Sequence, residues 1–379
     1  MGRTAGDMKK VKVQRYYDYS LLFLTLFLVC FGLVMIYSTS AYNAQRLYNN
    51  PMYYLRKQGI LAGVGIIIMF IVSKIDYHIY IAKFPIIKVR PIMMLYFLCI
   101  GLQAFVLVFS DVTKGAKRWI ELPGIGSFQP SELSKIAVIL FTSYIVQLAP
   151  RKLDLFIGFL RVVVLIAPLI ALIVFENFST ALIVGFIMVA ICFVASKKKG
   201  YFITSGILFG TLGTALIFLS WRSDRVDAWL HVETHEKGYQ ILQGLYAIAS
   251  GGVFGKGLGK SMQKLGFIPE SHNDMIFSVI CEELGLFGAF ALILLFVLLI
   301  WRIFIIAINA PDLYGGLIAT GVMAQIAIQV LINVAVVTNT IPSTGIPLPF
   351  ISYGGSSVMV ILFEIGIILS ISNQIKAQH

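Results

Sequence analysis

Three polar stretches interrupt an otherwise oily chain, and their residues are of kinds that move protons and hold phosphate. The most acidic, KLGFIPESHNDMIFSVICEE at residues 264–283, carries Asp274, Glu282 and Glu283 into the start of a hydrophobic segment. A carboxylate at or below a membrane interface costs a few kcal/mol even on a lenient insertion scale, so acids kept there are usually functional. Asp274 has two readings: a cap for the helix that follows, or a general base that takes a proton from a hydroxyl. At 100° per residue Glu282 falls about 80° and Glu283 about 180° from Asp274, and both lie roughly 12–14 Å further along a continuous helix. They read as buried acids that partner Gln or Lys groups on neighbouring helices, not as a carboxylate pair with Asp274.

The second stretch, KGAKRWIELPGIGSFQPSELSK at residues 114–135, sets Lys117 and Arg118 beside Trp119. An arginine can hold phosphate oxygens through two parallel hydrogen bonds, which would suit a lipid diphosphate; an ordinary interfacial belt of Trp and Arg is the plain alternative. Gln129 followed by Pro130 marks a helix start, and Glu132 and Lys135, three apart, form a structural pair on one face. The third stretch, NTIPSTGIPLPFISYGGSS at residues 339–357, has prolines that forbid a regular helix and glycines that permit sharp bends. Such backbone at membrane depth must line a cavity or be covered by protein. Arg118, Lys117, Trp119, Gln129, Ser352 and Tyr353 are the expected substrate-binding residues.

Other patterns carry less. The glycine-bearing run GYQILQGLYAIASGGVFGKGLG resembles a phosphate-cradling loop only loosely and lacks the GxxxxGK[ST] of a nucleotide site. His231, Glu233 and His235 stand in the order HxExH with no third ligand in view, so no metal site is assigned. Four cysteines lie singly within apolar spans, as inert core thiols do.

The elements that must position these groups are membrane helices. The chain has 379 residues, 58% hydrophobic and 13% charged, against about 25% charged for a soluble domain. An all-α polytopic membrane protein is expected, with about ten spans near 18–39, 58–74, 92–110, 131–148, 158–175, 180–196, 201–220, 275–304, 315–339 and 352–372. Gln325, Gln329 and Asn333 form a polar stripe on the ninth, facing the bundle. The net charge of +12 is scattered between spans, which argues against a nucleic-acid surface. With the N-terminus inside, 17 Lys and Arg fall on the cytoplasmic side and only 7 in the short loops opposite. Both termini are therefore expected in the cytoplasm, and the large loop 221–274, between the seventh and eighth spans, outside. Residues 18–373 form one transmembrane domain between short cytoplasmic tails at 1–17 and 374–379, too small to bury a core.

The motifs KRWIEL…QPSELSK, GYQILQGLYAIASGG…GKGLG, PESHNDMIF…EELG and IPSTGIPLPFISYGGSS, in this order across about residues 18–373, resemble the SEDS family of FtsW, RodA and SpoVE. YYDYSLLFLTLFLVCFGLVMIYSTS and NVAVVT are more similar to FtsW-type sequences. The resemblance implies an inverting peptidoglycan glycosyltransferase of the bacterial cytoplasmic membrane, polymerising lipid II at its outer face, with a septal role expected. It also implies a class B penicillin-binding protein as partner, among other divisome or elongasome proteins. It places the catalytic acid on Asp274 and substrate-cavity cations on Arg118 and Lys117. No cofactor is required by the motifs, though a divalent cation, Mg or Mn, could assist a diphosphate leaving group. The family's usual PDxGT-like run is here Glu176-Asn177-Phe178-Ser179-Thr180, so no aspartate role transfers there. A lipid II flippase and a non-enzymatic scaffold for a penicillin-binding protein are the rival readings.

Overall fold

The structure is a computed structural model that describes residues 17–84, 88–110, 118–122, 126–204, 206 and 223–375. Lys117 and most of the expected seventh span lie outside the described residues. Among the described residues, nine helices are long and apolar enough to cross a membrane. In chain order these are α1 (Tyr19–Tyr48), α2 (Tyr53–Lys74), α3 (Pro91–Phe109), α4 (Pro130–Leu148), α5 (Phe156–Glu176), α6 (Phe178–Ala195), α9 (Ile276–Ile308), α10 (Leu313–Val337) and α11 (Gly355–Gln374). Two shorter helices, α7 (Ser223–Leu230) and α8 (Tyr239–Gly251), fold the expected large loop.

Local chemistry fixes several ends. Asp18 accepts the Leu21 N–H at 2.9 Å to start α1, and Asp312 accepts the Gly315 N–H at 2.8 Å to start α10. Pro91 and Pro130 open α3 and α4, where a missing N–H costs nothing. Asn177 ends α5 and caps α6, accepting from the N–H groups of Ser179 and Thr180 at 3.1 and 3.2 Å. The expected first span ends near residue 39, but α1 continues to Tyr48, two to three turns further.

Helices α4, α10 and α11 form the enclosed centre, with 72%, 61% and 78% of their apolar stretches buried, against 28% for α2, α3, α5 and α9. The outer helices show lipid-sized apolar side chains on their free faces, Phe97, Ile157 and Phe290 among them. The polar stripe turns inward: Gln325, Gln329 and Asn333 are all buried.

The eighth expected span is not a continuous helix. Gly285 adopts φ 70° and ψ −170°, which breaks α9 two turns from its start. A break frees backbone groups that must find partners in a medium without water. Residues 252–257 supply them. Lys256 and Gly257 donate their N–H groups to the carbonyls of Glu282 and Glu283, each at 2.9 Å. Leu286 and Phe287 donate to the carbonyls of Gly252 and Val253 at 2.9 and 3.0 Å. The two backbones approach so closely that a Cβ on Gly285 would lie 2.3 Å from the Gly255 nitrogen. Gly251 and Gly255 of this run therefore serve close packing on α9.

Candidate active site

All three polar stretches meet at one cavity of about 380 Å³ at the α1–α2 end of the bundle. One wall is a small antiparallel hairpin, β1 (Ile120–Leu122) with β2 (Gly126–Phe128), registered Ile120 to Phe128 and Glu121 to Ser127. Three-residue strands carry no readable periodicity, so nothing in the sequence marks them. The hairpin brings Arg118 and Trp119 to the cavity ahead of Gln129, and α4 then places the Glu132–Lys135 pair in its wall. Lys135 Nζ lies 2.9 Å from Glu132 Oε2, with both side chains buried.

Opposite stand the loop before α9 and the loop before α11. Asp274 is half-buried and lines the cavity with Glu270 and Asn273. The helix behind it begins after Met275 with no side-chain cap, so capping does not account for the aspartate. Asn333 of α10 pins both loops: its Nδ2 donates to the Asp274 carbonyl at 2.8 Å and to the Ile346 carbonyl at 2.9 Å. The Tyr353 N–H donates to the His272 carbonyl at 2.8 Å. Gly345, at φ 69°, lies against the carboxylate, where a Cβ would stand 3.9 Å from Asp274 Oδ2. Asp274 is thus held from two sides, with Gln240 Nε2 reaching its Oδ1 at 3.5 Å.

Arg118 faces these acids. Burial and the nearby Arg225 pull its pKa below the usual arginine value, while Glu270 and Asp274 oppose the shift. It remains a cation, and its Nε is a buried donor with no hydrogen-bond partner among the described residues. A buried donor left open beside a cavity is a place for an anionic oxygen.

The structure therefore brings together Asp274, Arg118, Trp119, Gln129, Tyr353, Glu132 and Lys135, all of which line the cavity. Ser352 does not join them. It is buried beneath the loop, where its Oγ accepts the Leu348 N–H at 2.8 Å, and this corrects the expectation of a substrate contact: its hydroxyl holds the turn. Glu282 and Glu283 are fully buried away from the cavity. Glu282 pairs with Lys256 at 2.7 Å and accepts from Ser261 Oγ; Glu283 pairs with Lys264 at 2.7 Å and accepts from Ser38 Oγ. Their lysines come from the loop that precedes the helix, not from neighbouring spans. Among the described residues no group of three or more His, Cys, Asp or Glu could hold a metal ion.

Sequence reasoning passed over several groups. Lys57 and Asn177 line the cavity. Glu364, deep in α11, accepts from Gln325 Nε2 at 2.8 Å and stands near enough to Lys135 and Glu132 to feel their charges. With its amide nitrogen turned toward Glu176, Gln103 would donate to both carboxylate oxygens at 2.9 and 3.0 Å. An acid inside an apolar span was the available signal for Glu364.

Comparison with known proteins gives a consistent family. Residues 19–377 match the FtsW, RodA and SpoVE family model, described as cell cycle protein. The chain is 36% identical over 371 residues to a probable peptidoglycan glycosyltransferase FtsW of Geobacter sulfurreducens, covering 97% of this chain and 98% of the relative. It is also 36% identical to stage V sporulation protein E of Bacillus subtilis, covering 94% and 96%. Among solved structures, a chain of a peptidoglycan synthase complex that coordinates polymerization and crosslinking superposes with a TM-score of 0.77 at 25% identity, covering 94% of this chain and 97% of that one. The rod shape determining protein RodA of Thermus thermophilus gives 0.68 at 25% identity, covering 96% and 98%.

Proposed function

The chain belongs to the FtsW, RodA and SpoVE family, and from that premise we propose that it is a peptidoglycan glycosyltransferase that uses lipid II, with Asp274 as its base. The observation that carries the reading is the cavity that sets Asp274 across from Arg118. In the reaction, the 4-hydroxyl oxygen of an acceptor GlcNAc attacks the anomeric carbon of a donor MurNAc. Its proton passes to the Asp274 carboxylate, and the bond to the lipid diphosphate breaks on the opposite face, so the new β-1,4 link forms with inversion.

Charge then builds on the leaving diphosphate. Arg118 meets it with a guanidinium already fixed in place, which costs no reorganisation at the moment of reaction. The buried Glu132–Lys135 pair, neutral overall, stiffens the same wall. A divalent cation bound with the substrate would share in neutralising the diphosphate. The lipid tails lie against the bundle, which is why a sugar polymerase is built of membrane helices.

The distribution of Lys and Arg supports cytoplasmic termini and a cavity open to the outer face. A class B penicillin-binding protein is the proposed partner, as a crosslinking enzyme suits a strand made at that face, and the likeness to FtsW relatives supports a role in division. The test is a proteoliposome assay that reads polymer formation and lipid II translocation separately. Polymer formation by the partner-bound chain is the expected result. Translocation without polymer would make it a flippase, and neither activity would leave it a scaffold.

A further inference from the structure

Beside the cavity rim stands an aromatic cluster to which no role has yet been given. Tyr48, the last residue of α1, and Tyr53, the first of α2, stack face to face across the connecting turn, with ring centroids 3.8 Å apart and planes 10° apart. Tyr54 sets its edge against both and against Tyr353, at 5.9, 5.3 and 5.1 Å, and packs on His272 at 4.4 Å. Lys57 covers the Tyr53 ring at 4.4 Å and donates to its hydroxyl at 2.6 Å. Both Lys57 and Tyr353 line the cavity. Contact runs unbroken from the reacting groups outward to Tyr48, which is 47% exposed.

This cluster stands in water, not in lipid. The 30 residues of α1 span about 45 Å, against about 30 Å of hydrocarbon. At the other end of the helix Asp18 is tied to Arg302 at 2.6 Å, a charge pair that marks the opposite interface. Tyr48 therefore projects beyond the apolar layer, and the turn after it, Asn49 to Pro51, is polar and αL-capped.

We propose that Tyr48, Tyr53 and Lys57 form a saccharide-binding platform that receives the glycan strand as it leaves the cavity. A pyranose presents a face of C–H bonds that packs on an aromatic ring while its hydroxyls stay wet, and tyrosine offers both an apolar body and a polar tip. The Tyr48 ring supplies the open face. Lys57, fixed by the Tyr53 hydroxyl and ring, donates to hydroxyl and acetamido oxygens between platform and cavity. A strand held there stays close to the base for the next addition. The inference rests on the glycosyltransferase reading for its ligand.

The test uses the full chain, bound to its proposed penicillin-binding partner, in nanodiscs. A soluble GlcNAc–MurNAc tetrasaccharide is titrated by calorimetry, and strand length from lipid II is compared at equal lipid consumption. Tyr48→Ala is expected to weaken tetrasaccharide binding at least fivefold and to shorten the strands at least threefold, while Tyr48→Phe, which keeps the ring, stays within twofold of wild type on both. If Tyr48→Ala does not assemble, Tyr48→Leu, apolar but without a flat face, carries the same expectation. Unchanged binding and strand length in the Ala or Leu variant would overturn the platform and assign the tyrosines to the membrane interface. Wild-type protein that binds the tetrasaccharide but makes no polymer would instead overturn the glycosyltransferase reading and leave the platform standing.

Discussion

Arg118 and the Glu132–Lys135 pair do different work although they share one wall. Arg118 keeps an open donor toward the cavity, so in the proposed reaction its loss is a loss of transition-state charge compensation. Arg118→Ala should lower kcat on the order of 100-fold with the fold intact, as removal of a fixed donor does elsewhere. Arg118→Lys keeps the charge but not the two-pronged grip, and should recover only part of the rate. Lys135, by contrast, is wholly buried against Glu132. Glu132→Ala leaves that ammonium without its counterion, a cost of about 3–5 kcal/mol, whereas Glu132→Gln with Lys135→Met removes both charges and should cost much less. Thermal unfolding in detergent separates them: the single variant should melt well below the double. Asp274 and Arg118 stood out in the sequence because charged residues beside apolar runs are few. The misplacement of Ser352 has a plain cause: a hydroxyl in a loop looks the same whether it faces a cavity or holds the turn beneath it.

At the scale of elements, the break in α9 is where structure departs most from expectation. Glycine within a long apolar run is tolerated in helices, so nothing local distinguished Gly285 from Gly288 a turn later. The distinguishing fact is remote: residues 252–257 cross the break and take up its freed backbone groups. The same distance hid the partners of Glu282 and Glu283, whose burden of charge was evident but whose lysines lie across a loop closed only by folding. Two expected outcomes follow from this clamp. Gly285→Ala meets the Gly255 nitrogen at 2.3 Å and the Val253 carbonyl oxygen at 2.4 Å while also straining a positive φ, so it should abolish assembly or lower the melting midpoint sharply. Lys264→Met, which strands Glu283, should cost as much as Glu132→Ala, and Lys264→Met with Glu283→Gln should restore most of it.

For the whole molecule, the helical frame was readable because membrane spans announce themselves by length and apolarity, and the described helices fall where the hydrophobic runs lie. What could not be read was their arrangement: that α4, α10 and α11 stand inside, and that three stretches far apart in the chain share one cavity. The frame also carries a prediction of sidedness. In intact spheroplasts an impermeant maleimide should label Lys260→Cys at once and Lys198→Cys only after permeabilisation, and the reverse would invert the proposed orientation. Orientation, cavity and family together make one claim, that this bundle holds a carboxylate where it can take a proton from a sugar hydroxyl. The most direct measurement is polymerisation of lipid II by the purified, partner-bound chain with Asp274→Asn against wild type. A fall of at least about 100-fold, with unchanged melting and partner binding, is the predicted result; polymer made at the wild-type rate would contradict it.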